Sequence, residues 1–88
     1  MIEKNVKVTN TLGIHARPAS MIVQTAVKYK SSVQIMRGSA QVDAKSIMSV
    51  MMLAAAYGTE VTIRADGEDE KDVIDALIAL FDRKFNEE

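Results

Sequence analysis

The spacing between apolar residues switches repeatedly along this chain, and the order of those switches is its strongest constraint on a fold. Ile2, Lys4, Val6 and Val8 alternate with Glu3, Asn5, Lys7 and Thr9. Period two with valines predicts a half-buried strand, Lys4 lying near its open end. Asn10–Gly13 reads as a loop. From Ala16 to about Lys28 the apolar steps lengthen to three and four residues, at Ala16, Ala19, Ile22 or Val23, and Ala26. That spacing predicts a helix with a small-residue seam for close packing on a sheet, with Lys28 and Lys30 suiting its negative end.

Alternation resumes at Val33–Met36. Gly38-Ser39 suits a two-residue type II′ turn, with Gln41–Asp43 as a short returning strand too brief for periodicity alone to establish. A second helix is expected from Ser46 to about Ala55, with Gly58 as its left-handed cap. Glu60–Ala65 alternates again with Val61, Ile63 and Ala65 inward, and Asp66-Gly67 closes it. A last helix from about Asp69 to Phe85 buries Val73 or Ile74, Leu77, Leu80 or Phe81, and Phe85. Its acidic start, Glu68, Asp69, Glu70 and Asp72, complements the helix dipole. The order predicts an α+β fold, an open-faced βαββαβα sandwich. In it a four-stranded, mainly antiparallel sheet is covered on one face by three helices. Eighty-eight residues without repeats or linkers suit a single domain, 1–88.

Composition narrows the function classes. Eleven basic and twelve acidic residues give a net charge of -1, so bulk charge favours neither nucleic acid nor an anionic membrane. A small RNA-binding domain is further disfavoured by the lack of aromatic residues on the strands. The absence of cysteine removes disulfides and cysteine-based zinc sites and is compatible with a reducing cytosol. No apolar run approaches the ~18 residues of a membrane span, so a cytoplasmic protein is expected.

The chemistry concentrates in Gly13-Ile14-His15-Ala16-Arg17-Pro18-Ala19, which holds the sole histidine and the sole proline. A lone histidine in a loop is ordinarily satisfied by backbone hydrogen bonds. Here Gly13 permits a tight turn and Pro18 fixes a helix start, where its missing N–H deprives no intrahelical partner. His15 is thereby placed beside free backbone donors and the positive end of a helix dipole. Arg17, within one turn and unpaired, would repel an imidazolium and bias the ring toward its neutral, nucleophilic form, and with the backbone amides would stabilise an arriving phosphate. No metal site is expected, because a lone histidine is an incomplete ligand set.

A second constellation is Lys45-Ser46-Ile47-Met48-Ser49-Val50-Met51-Met52-Leu53. Ser46 stands where an N-cap belongs. Val50 and Leu53, with Ser49 on the same side, can face the sheet. Ile47, Met48, Met51 and Met52 cannot all join them, so an adaptable methionine-rich surface patch is expected. A phosphate on Ser46 would be tolerated at a helix start and would change the charge of that patch.

These two segments, about thirty residues apart, resemble the active-site and regulatory signatures of the HPr family, the histidine-containing phosphocarriers of the bacterial phosphoenolpyruvate-dependent sugar phosphotransferase system. The resemblance covers essentially the whole chain and implies the same βαββαβα sandwich. It implies a carrier rather than an enzyme, without a cofactor. His15 would accept a phosphoryl group at Nδ1 from phosphorylated enzyme I and pass it to the A domain of a sugar-specific enzyme II. Arg17 and the backbone amides of Ala16 and Arg17 would hold the phosphate, and Ile47, Met48 and Met51 would form the docking patch. Ser46 matches the serine modified by an HPr kinase/phosphorylase, with a catabolite-control repressor as the further partner. A monomer is expected, without nucleic-acid binding or membrane insertion. Leu12 replaces a polar residue of many relatives and cannot contact phosphate through a polar group, while Ser49 and Ala54 stand where many relatives have glycine. Leu53-Ala54-Ala55-Ala56 is also similar to the nitrogen-related branch. The alternative is therefore a regulatory member of that branch or of the catabolite-control branch, acting mainly by binding partners.

Overall fold

The computed structural model describes residues 1–87. The chain runs β1 (Ile2–Lys7), α1 (Ala16–Ala26), β2 (Ser32–Arg37), β3 (Ala40–Asp43), α2 (Ile47–Met52), β4 (Glu60–Asp66) and α3 (Glu70–Asp82), followed by a short 3-10 turn at Lys84–Asn86. The strands form one sheet in the order β1-β4-β2-β3, and every neighbouring pair is antiparallel. The open-faced sandwich expected from the apolar spacing is the observed fold.

Register explains the core. Val6 opposes Val61, Lys4 opposes Ile63, and Val33 and Ile35 oppose Ala65 and Ile63 across the β2–β4 ladder. Period two sends Val33, Ile35, Val61, Ile63 and Ala65 to one face, where all are buried. Ala19, Ile22 and Ala26 of α1 and Val73, Ile74, Leu77, Leu80 and Phe81 of α3 close over them. The short β3 exists because Gly38, at φ +60, takes the first central position of a two-residue turn. Arg37 and Ala40 pair directly across that turn.

The helix ends differ from their sequence reading. α1 stops at Ala26 with Val27 as cap, so Lys28 and Lys30 lie beyond it and its last turn holds no basic residue. The backbone N–H of Lys30 and both the N–H and hydroxyl of Ser31 instead donate to the Asp69 carboxylate. Asp69 is thus a clamp between two loops as well as a charge at the start of α3. These donors, the Ser31 hydroxyl foremost, lower its pKa to about 2. A carboxyl depressed on folding stabilises above its ordinary range near pH 4 and loses that contribution as pH falls toward about 2. Asp69→Asn is expected to melt several degrees below the parent at pH 7, with the gap closing below about pH 4. Thermal melts across that range test this; a constant gap would contradict it.

α2 is also shorter than expected. It ends at Met52 with Leu53 as cap, the Leu53 carbonyl accepts from the Arg37 guanidinium, and Ala54 turns left-handed at φ +53. Gly58, also left-handed, serves a later turn and donates its N–H to the Val8 carbonyl. The terminating residue is therefore Ala54 rather than Gly58. A β-carbon in this conformation costs about 1–2 kcal/mol, so Ala54→Gly is expected to stabilise by roughly 1 kcal/mol in denaturant unfolding. A loss of stability would show that the strain is absent.

Candidate functional site

His15 occupies the N-cap position of α1 with extended backbone, and its ring makes no capping hydrogen bond. The loop before it is fixed by backbone contacts. Gly13, at φ +72, donates to the Asn10 carbonyl, and Ile14 donates to the Ala55 carbonyl. Pro18, buried in the first turn, has no N–H to leave unpaired. The first-turn N–H groups of Ala16 and Arg17 precede the first intrahelical donor, Ala19, which bonds the His15 carbonyl. The ring stands half-exposed beside these donors.

The unexpected member of the site is Glu87. One of its carboxylate oxygens lies 2.9 Å from His15 Nε2 and 3.7 Å from an Arg17 nitrogen. Its other oxygen accepts from the Asn10 side-chain amide at 3.0 Å. The Asn10 bond, followed by the His15 and Arg17 interactions, holds the Glu87 carboxyl below the usual glutamate range. An ionised carboxylate can only accept, so in the neutral ring the proton belongs on Nε2 and the lone pair on Nδ1. Arg17 also donates to the Phe85 carbonyl at 3.3 Å. The expectation of an unpaired arginine biasing the ring toward neutrality is therefore corrected: Arg17 is paired, and a carboxylate faces the imidazole.

The segment carrying Glu87 turns sharply. Lys84, Phe85 and Asn86 all have positive φ, and Phe85 is buried with its ring edge-on to Phe81 at a centroid distance of 4.9 Å. Glu87 had no signal in apolar periodicity, and an acidic residue in the tail reads as solvated; it bonds Asn10 across 77 residues. Leu12 is 72% exposed and lines a shallow groove with Thr11, Asn86 and Glu87.

On α2 the Ser46 hydroxyl accepts from the Ser49 N–H, confirming the N-cap geometry. Val50 and Leu53 are buried, whereas Met48 and Met52 are 71% and 77% exposed and Ile47 and Met51 are partly uncovered. The apolar surface anticipated from the helix is present. Among the described residues no group of three or more His, Cys, Asp or Glu side chains could hold a metal, and no helix is long and apolar enough to cross a membrane.

A four-stranded open-faced sandwich thus presents one histidine at the lip of its first helix. Residues 2–83 match the family described as the PTS HPr component phosphorylation site. The chain is 47% identical to the phosphocarrier protein HPr of Xylella fastidiosa, covering 100% of this chain and 99% of that protein. Among solved structures, HPr from Thermoanaerobacter tengcongensis superposes with a TM-score of 0.96 at 42% identity, covering 100% and 99% of the two chains. The histidine-containing phosphocarrier protein of Mycoplasma gives 0.89 at 38% identity, covering 94% and 96%. The chain belongs to the HPr family.

Proposed function

We propose that His15 receives a phosphoryl group at Nδ1 from phosphorylated enzyme I and passes it to the A domain of a sugar-specific enzyme II. The observation that carries this reading is an N-cap histidine whose ring caps nothing and whose Nε2 is engaged by Glu87. The Nδ1 lone pair attacks phosphorus, and the bond from phosphorus to the donor breaks with its electron pair remaining on the donor. The proton on Nε2 stays in place. The phosphate, carried on the other ring nitrogen, meets the amides of Ala16 and Arg17 and the positive helix end. Arg17, more than half exposed, exchanges its contact with Glu87 for one with the phosphate.

The chain acts as a carrier: one exposed ring holds the group between encounters. Ile47, Met48 and Met51, continued by Met52, offer the partners an adaptable apolar contact beside the site. Ser46 is the regulatory position, modified by an HPr kinase/phosphorylase where the host carries one. Its phosphate adds about two negative charges at the border of the patch.

Incubation with phosphoenolpyruvate and enzyme I is expected to place an acid-labile, base-stable phosphate on the parent chain and none on His15→Ala. Ser46→Asp is expected to slow that labelling. An unlabelled parent would refute the carrier reading, and unchanged kinetics in Ser46→Asp would refute the regulatory one.

A further inference from the structure

Asn10 lies in the loop between β1 and α1 with its side chain wholly buried. Its Nδ2 donates to the Gly13 carbonyl at 2.7 Å and to Glu87 at 3.0 Å. Its Oδ1 is also buried and has no hydrogen-bond partner among the described residues. Stranding an acceptor in this way is unfavourable, and an apolar side chain of similar size would avoid it. What asparagine supplies here is therefore its amino group. The two N–H bonds run to the two structures that position the imidazole. One is the carbonyl two residues before His15 in the chain, and the other is the carboxylate on His15 Nε2.

We propose that Asn10 is a positioning residue for His15. Its amino group locks the Gly13 loop and the Glu87 carboxylate together, so that the ring is held as the Nε2–H tautomer with Nδ1 free to take phosphate. The proposal deepens the reading of His15 as a phosphoryl acceptor and rests on it for its consequence, though not for its geometry. The charged groups at the ring are Glu87 and, against that same carboxylate, Arg17. The cooperation is directional: among the described residues the Asn10 amino group bonds Gly13 and Glu87 rather than the ring, and so acts through the carboxylate. Second contacts of this kind fix the tautomer and orientation of histidines that must present one chosen nitrogen. The depressed Glu87 carboxyl, for which the Asn10 bond is the largest cause, agrees with the same arrangement.

The test uses the full chain with 15N-labelled histidine. In the parent, the imidazole 15N shifts of the neutral ring should report Nε2–H. In Asn10→Ala they should move toward a mixture, the Glu87 titration midpoint should rise toward an ordinary glutamate, and phosphoryl acceptance should slow about tenfold. Glu87→Gln provides the second variant, because it leaves the Asn10–Gly13 bond and hence the loop intact. Its amide can donate to Nε2, so the opposite tautomer should gain population. The double variant should be no slower than the slower single one, as members of one chain of contacts require. Parent-like tautomer shifts in a folded Asn10→Ala, or in Glu87→Gln should Asn10→Ala not fold, would overturn the proposal. An unlabelled parent would instead refute the acceptor reading, while the 15N shifts still decide whether Asn10 sets the tautomer.

Discussion

Phe85→Ala is expected to lower stability by about 3–5 kcal/mol and to separate Glu87 from His15. Phe85 is fully buried against Phe81, yet its backbone belongs to three consecutive non-glycine residues with φ of 54°, 55° and 61°. Each β-carbon in that region costs about 1–2 kcal/mol, somewhat less for asparagine. Such a turn persists only while something outweighs its strain, and the buried ring is the anchor. For a domain whose net stability is about 5–15 kcal/mol, the loss is a large fraction. Denaturant midpoints should fall and magnetic contact between the His15 ring and Glu87 should vanish. Phe85→Leu, keeping an apolar anchor, should retain part of both. A variant with parental midpoint and contact would show that the tail is held elsewhere.

Gly13→Ala should be nearly as damaging. At φ +72, an added β-carbon would lie 2.7 Å from the Ala55 carbonyl oxygen and 2.9 Å from Ala56 Cα. Both neighbours are backbone, and the same Ala55 carbonyl accepts the Ile14 N–H at 2.9 Å. Relief of the clash therefore stretches the bond that ties the His15 loop to the segment after α2. The left-handed penalty of about 1–2 kcal/mol and an overpacking term of about 1–3 kcal/mol together give about 2–5 kcal/mol. Equilibrium unfolding measures it. A change below about 0.5 kcal/mol, the range of an ordinary surface substitution, would mean that the two loops are not in contact.

The sheet and its covering helices were legible because their apolar spacing is local. Val61, Ile63 and Ala65 announce a half-buried strand without reference to any distant residue. The end of α2 was not legible in this way. Glycine is the usual left-handed residue, so the sequence points to Gly58 as the cap, whereas Ala54 takes that conformation under long-range constraints. Arg37 on β2 binds the Leu53 carbonyl, and Ile14 binds that of Ala55. The same distinction runs through the candidate site. His15, Arg17 and Pro18 sit together in sequence, so their grouping at a helix start could be inferred. Glu87 and Asn10 meet only because the tail after α3 turns back over the first loop. Their side chains are polar, and polar residues leave no periodic trace from which a buried contact can be read.

Lys4 has a consequence for how these molecules behave in a crowd. It lies on β1, an outer strand of the sheet, opposite Ile63 on the helix-covered side. The other outer strand, β3, has only four residues. A charged side chain aimed toward the apolar side of an edge, and a partner edge too short to template a long ladder, both oppose the addition of another chain's strand. The open architecture thus carries its own protection against edge-to-edge aggregation.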